Sequence, residues 1–184
     1  MWRNTSAMHL VIWIVALCFV ALAGWFDWRS RRIPNWLTVP GLLLGLTMNT
    51  LSWGWPGIKL ALAGAGLSLG VLLPFVLLRG LGAGDWKLMG ALGALLGFPL
   101  IVLVLFGTIF VTGLMAAVQI TRLNCWGATL RNLIELVKAA VTFKVFPHPK
   151  ISLDNPGMMS LPFGVAAALA TSLCFVAGFA LRAF

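Results

Sequence analysis

The sequence predicts an all-α, polytopic membrane protein of about six transmembrane helices, with one amphipathic helix lying on the membrane surface. Three observations carry that expectation. Hydrophobic residues make up 61% of the chain and charged residues 9%, against roughly 45–50% apolar and 25% charged in soluble domains. A soluble fold of 184 residues has too much surface to hide that apolar excess. Apolar runs also recur at lengths near the roughly 20 residues that cross a bilayer. Finally, the basic residues gather in alternate connections between those runs.

The first run covers residues 7–26. Its Ala21-Leu22-Ala23 end has the small-residue spacing of a signal-peptide cleavage site. Three arginines, Arg29, Arg31 and Arg32, follow it within six residues. Such a cluster directly after an apolar segment favours retention on the cytoplasmic side, so the run is read as an uncleaved span. Further spans are expected over residues 36–53 and 58–78, then over 99–120 and 161–181. Between Asp85 and Phe98 lies a shorter stretch, residues 86–98. It is too short to cross comfortably alone, and it reads either as the first arm of a hairpin through Pro99 or as a re-entrant element. All six segments belong to a single membrane-embedded domain over residues 1–184.

The connection from Arg122 to Ser160 is the long polar one. Over residues 125–146, Leu130, Leu133, Ile134, Val137, Ala140 and Val141 recur at helical spacing, with Arg131, Glu135 and Lys138 on the other side. This pattern predicts a helix lying on the cytoplasmic membrane surface, ended by Pro147-His148-Pro149. His148 is assigned no role. Gly64, Gly66, Gly70, Gly90, Gly93 and Gly97 punctuate the spans and fit close helix packing.

With the N-terminus outside, the cytoplasmic side holds ten basic residues: Arg29, Arg31, Arg32, Arg79, Lys87, Arg122, Arg131, Lys138, Lys144 and Lys150. The outer side holds three: Arg3, Lys59 and Arg182. That asymmetry fixes the expected orientation. It also explains the net charge of +9 through contact with anionic lipid, since the basic residues are scattered rather than clustered on a nucleic-acid-binding face. Cys18, Cys125 and Cys174 have neither C-x-x-C spacing nor a framework pattern. They are read as apolar fillers, and no metal site and no cofactor is expected.

Acids are scarce: Asp27, Asp85, Glu135 and Asp154. An ionisable group costs roughly 2.5–3.5 kcal/mol at the centre of a membrane helix on insertion scales. Asp27 ends the first span and Asp85 heads the fourth, so the expected topology puts both at the cytoplasmic edge. A plain reading makes them interfacial acids offsetting Arg29, Arg31, Arg32 and Lys87, which contributes little. The functional reading makes them one site assembled from two helices. Asp85 follows Gly82-Ala83-Gly84, where the glycines allow a tight turn and close approach of another backbone, such as an extended substrate. At a helix start the amide dipoles also favour a carboxylate.

These blocks resemble those of the type IV prepilin peptidases. Residues from Gly82 to Gly93 are similar to that family's G-x-G-D block. Asp27-Trp28-Arg29-Ser30-Arg31-Arg32-Ile33-Pro34-Asn35 resembles its first aspartate block, an Asp followed by basic residues and I-P-N. Leu161-Pro162-Phe163-Gly164-Val165-Ala166 is similar to the Pro/Gly stretch opening its last helix. The resemblance implies an intramembrane aspartyl endopeptidase that cuts a pilin-like precursor after a glycine, just before a hydrophobic helix. It implies Asp27 and Asp85 as catalytic residues, with Gly82, Gly84, Lys87, Pro34 and Asn35 supporting the motifs. The pair would share one proton, one carboxyl activating water while the other protonates the scissile carbonyl. Bifunctional members add a methyltransferase region and a cysteine-rich metal-binding loop, whereas Asp27–Asn35 is short and carries no Cys. The chain therefore resembles the short branch serving tight-adherence (Flp-type) pili, for which no methylation and no S-adenosylmethionine are expected. Expected partners are the precursor, the bilayer and other pilus-assembly components, with no nucleic acid. Two other classes fit the composition: a small ion-coupled transporter, though its carboxylates belong nearer the midplane, and a non-catalytic scaffold of a pilus-assembly machine.

Overall fold

A computed structural model describes residues 3–77, 81–123, 127 and 162–180. Six helices make up nearly all of it: α1 (Arg3–Ser30), α2 (Asn35–Trp53), α3 (Trp55–Leu77), α4 (Ala83–Leu96), α5 (Leu100–Leu123) and α6 (Phe163–Ala180). No strand occurs among the described residues. The helix count agrees with the expected number of spans, and the chain is a multi-pass membrane protein. The amphipathic segment expected over 125–146, with His148, Glu135 and Asp154, lies outside the described residues apart from Gly127.

Helices α1, α3, α5 and α6 are each long and apolar enough to cross a membrane. They expose large side chains to the surroundings, among them Leu22, Leu62, Phe106 and Phe179, as lipid-facing helices do. Exposed tryptophans mark the two ends of the bundle, Trp25, Trp28 and Trp36 at one and Trp55 at the other. Along α2, the 17 steps from Trp36 to Trp53 span about 26 Å at 1.5 Å per residue. That separation matches aromatic belts at the two faces of a bilayer's apolar layer.

Helix α4 is different. Every residue from Leu88 to Leu96 is buried, because α4 packs between α2 and α3 and also meets α1, α5 and α6. Its 14 residues cover only about 21 Å, short of the roughly 30 Å hydrocarbon layer. It therefore ends inside the apolar layer, where unpaired carbonyls are costly. Asn49 from α2 resolves this: its buried amide donates to Ala94 O at 2.9 Å, Leu95 O at 3.0 Å and Gly45 O at 3.0 Å. Gly97 turns the chain at φ 69° with its N–H on Gly93 O, and Phe98 N–H reaches Leu60 O at 3.1 Å.

The close packing around α4 depends on absent side chains. A Cβ on Gly64 would strike Gly93 O, and one on Gly93 would strike Gly64 O. A Cβ on Gly45 would sit 2.5 Å from Leu95 N. Gly90 is filled over by Leu69 and Gly97 lies against Leu60. Two expected packing glycines behave otherwise. Gly66 and Gly70 have no neighbour within 4 Å, because they sit on the outward side of α3, half a turn from the Gly64 and Ser68 side that meets α4.

Candidate active site

Asp27 lies in the last turn of α1, between exposed Trp25 and Trp28, yet its own side chain is buried at 5% exposure. The helix runs one turn further than the expected span, so the aspartate is set on a rigid element. Arg31 closes α1 in the left-handed region at φ 53°, its N–H on Asp27 O at 2.9 Å. This is the αL helix ending that glycine usually supplies. The sharp turn sends Ile33 back into the bundle, where it is buried.

Asp85 occupies the first turn of α4 and is half-buried. Its carboxylate reaches back to the N–H of Gly82, the residue that caps the helix with extended backbone at φ −67°, ψ 142°. This is the reach-back half of a capping box, which satisfies an amide left over at a helix start. A Cβ on Gly82 would stand 2.9 Å from Asp85 Oδ2, so the bare glycine makes room for the carboxylate. Gly84 serves the fold as well. A Cβ there would meet Ile33 Cβ at 3.3 Å and Ile33 O at 3.4 Å. The close backbone approach expected of an extended substrate at Gly84 is thus made by the chain's own 31–34 connection.

That connection brings the two aspartate blocks together. Lys87 Nζ donates to Asn35 Oδ1 at 3.0 Å, joining the start of α4 to the start of α2. Pro34 caps α2 with extended backbone at φ −73°, ψ 143°, and its carbonyl accepts from Leu37 and Thr38 N–H. The Lys87 side chain remains exposed while making its bond to Asn35. Helices α1 and α4 also touch directly, so the last turn of the one and the first turn of the other lie beside each other around the 31–34 connection.

The remaining contact comes from α6, whose packing partner cannot be read from its apolar pattern. Gly164 N–H donates to Asp27 Oδ2 at 2.7 Å, and the Val165 amide also points at this carboxylate. Both amides belong to the first turn of α6, where N–H groups lack helical partners. Each aspartate is therefore held by the N-terminus of a different helix, Asp85 by its own α4 and Asp27 by α6. Among the described residues no cluster of three His, Cys, Asp or Glu side chains could hold a metal. The chemistry available is that of two carboxyl groups carried on adjoining helix ends at one end of the bundle.

Comparisons with known proteins point to one family. Residues 14–117 match the type IV leader peptidase family, a stretch that includes both aspartates but not Gly164. The chain is 35% identical over 125 residues to a prepilin leader peptidase/N-methyltransferase of Aeromonas salmonicida, covering 62% of this chain and 41% of that protein. It is 38% identical over 97 residues to a protein of the same description from Escherichia coli strain K12, covering 47% of this chain and 43% of that one. The chain thus spans less than half the length of the curated relatives it matches. No solved structure matches it significantly.

Proposed function

The chain belongs to the type IV leader peptidase family, and on that premise we propose that it is an intramembrane aspartyl endopeptidase that removes the short leader peptide from type IV (Flp-like) prepilins. One observation supports this most: the blocks carrying Asp27 and Asp85, 58 positions apart in sequence, meet at one end of the bundle through the Lys87–Asn35 hydrogen bond and the approach of Gly84 to Ile33, each carboxylate accepting from a helix N-terminus. Two carboxyls so placed resist ionising together and share a proton, the arrangement aspartic proteases use. The ionised member takes a proton from water while the protonated member donates to the scissile carbonyl oxygen. The resulting tetrahedral intermediate expels the amine as that proton passes on to nitrogen. The protons belong to the coupled pair, so neither aspartate is given a fixed role.

The substrate geometry follows from depth. Asp27 sits between tryptophans of one aromatic belt, so the site meets a bond at the edge of the apolar layer, where a leader joins a hydrophobic helix. We assign that edge to the cytoplasmic face and the N-terminus to the outside, on the ten-to-three distribution of basic residues. The activity assigned is peptide cleavage without methyl transfer, and the cysteine-free Asp27–Asn35 block supports the Flp-type substrate class.

Purified protein in lipid should cleave a synthetic precursor peptide spanning leader and first helical turns. Asp27→Asn and Asp85→Asn should each lower the rate by at least about 10²-fold, with the proteins still folded. Normal cleavage by either variant would defeat the assignment.

A further inference from the structure

We propose that Gly164 is a positioning residue of the active site: its backbone N–H fixes the Asp27 carboxylate, and its missing side chain is what allows α6 to do so. The proposal rests on the aspartyl peptidase reading above and adds to it a residue 137 positions from Asp27, outside the matched family region. Two independent features converge on this residue. The 2.7 Å hydrogen bond to Asp27 Oδ2 crosses between helices and is buried. The space is also closed to any side chain, since a Cβ on Gly164 would lie 2.9 Å from Asp27 Cβ, 3.1 Å from Asp27 Oδ2 and 3.3 Å from Ala23 O. The first of those atoms sits next to the α1 backbone and cannot swing aside as a side-chain tip would. A methyl group here must push either the carboxylate or the whole of α6 away.

The amide is available because of its place in α6. Pro162 supplies the helix cap, its carbonyl accepting from Ala166 N–H at 3.2 Å, so Phe163 and Gly164 are the first two helical residues and their N–H groups have no intrahelical acceptor. Asp27 takes the second of these. The dyad is therefore built by three helices: α1 and α4 supply the carboxyls, and α6 holds one of them at a fixed orientation. Displacing a reacting group by about 1 Å can cost on the order of 10²-fold in rate, which sets the scale of the effect.

A control sits one helical turn away on the same helix pair. A Cβ on Gly24 would meet Gly164 O at 3.4 Å and Ala168 Cβ at 3.5 Å, ordinary contact distances. Gly24→Ala adds a methyl group to the α1–α6 contact, on the carbonyl side of Gly164 and at van der Waals distance, while leaving the Gly164 N–H and Asp27 untouched.

The test compares Gly164→Ala with Gly24→Ala in lipid, using precursor cleavage and the affinity of a leader-peptide analogue carrying a secondary alcohol in place of the scissile carbonyl. Such a mimic of the tetrahedral intermediate reports on the dyad's geometry, and its Kd does not depend on how much of the sample is folded. Gly164→Ala should lower kcat and weaken the mimic by roughly 10- to 100-fold with the substrate KM little changed, while Gly24→Ala stays close to the native protein. Native affinity in Gly164→Ala, or an equal loss in both variants, would overturn the role of Gly164. A second measurement uses only folded protein: in Asp27→Ala the Gly164 amide should exchange with solvent at least about tenfold faster, having lost its acceptor. Unchanged exchange would also overturn the proposal. Active Asp27→Asn would instead overturn the peptidase reading, a distinct result.

Discussion

At the scale of single residues, the account rests on Asp27, whose carboxylate accepts from the Gly164 amide of α6, and on Asp85 in the first turn of α4. Replacing either by Asn should slow precursor cleavage by at least about 10²-fold. Asp27 and Asp85 stood out because a chain with four acids has little reason to keep two at membrane edges unless they act or pair. Lys87 and Asn35 were visible as parts of their blocks, but their mutual hydrogen bond was not, since nothing in either block encodes the distance to the other. Gly164 lay within a recognisable Pro/Gly stretch and still gave no sign of its partner. Its role exists only once α6 lies against α1. Asn49 carries a readable signal, an amide in the middle of an apolar run. Its three acceptors at the buried end of α4 make it a structural residue. Asn49→Leu should destabilise the protein by about 1–3 kcal/mol, because two terminal carbonyls lose their donor in an apolar setting. Equilibrium unfolding in mixed detergent measures this, and an unchanged midpoint would refute it.

At the scale of elements, the short segment before Pro99 was the ambiguous one. Length alone left it between a hairpin arm and a re-entrant piece. The structure makes it a short, buried helix, α4, starting three residues earlier than expected. From Leu88 onward its sequence is apolar all round, which in lipid fits a buried helix and a lipid-facing span equally, and the donors at its end come from another helix. Glycine spacing misled in part for a related reason. Gly64 and Gly93 are backbone contacts, whereas Gly66 and Gly70 face open space, and the pattern of small residues does not say which side of α3 meets α4. The two kinds should respond oppositely to one added methyl group. Gly93→Ala should lower stability by about 1–3 kcal/mol through overpacking. Gly66→Ala should leave it unchanged or raise it by a few tenths to 1 kcal/mol, since alanine is the better helix former. Equal effects in thermal unfolding would contradict the packing described here.

At the scale of the whole molecule, the all-α membrane fold is legible because lipid imposes simple rules: apolar composition and apolar runs of spanning length. The way the ends of α1, α4 and α6 converge is not, because apolar surfaces in lipid carry little sequence information about which helix meets which. The orientation assigned to the site can be checked in intact cells. In a protein freed of its cysteines, Trp55→Cys should react with a membrane-impermeant maleimide added from outside, and Trp28→Cys should react only after the inner face is exposed. The reverse pattern would place the dyad on the wrong side for a cytoplasmic leader.

The central claim is that Asp27 and Asp85 form one catalytic unit, and the double variant tests it most directly. Residues that act together lose nearly everything with the first substitution. In the precursor-cleavage assay, Asp27→Asn/Asp85→Asn should therefore be no slower than the slower single variant. If the two losses multiply instead, or if the double variant still cleaves at the native rate, the aspartates do not work as a pair.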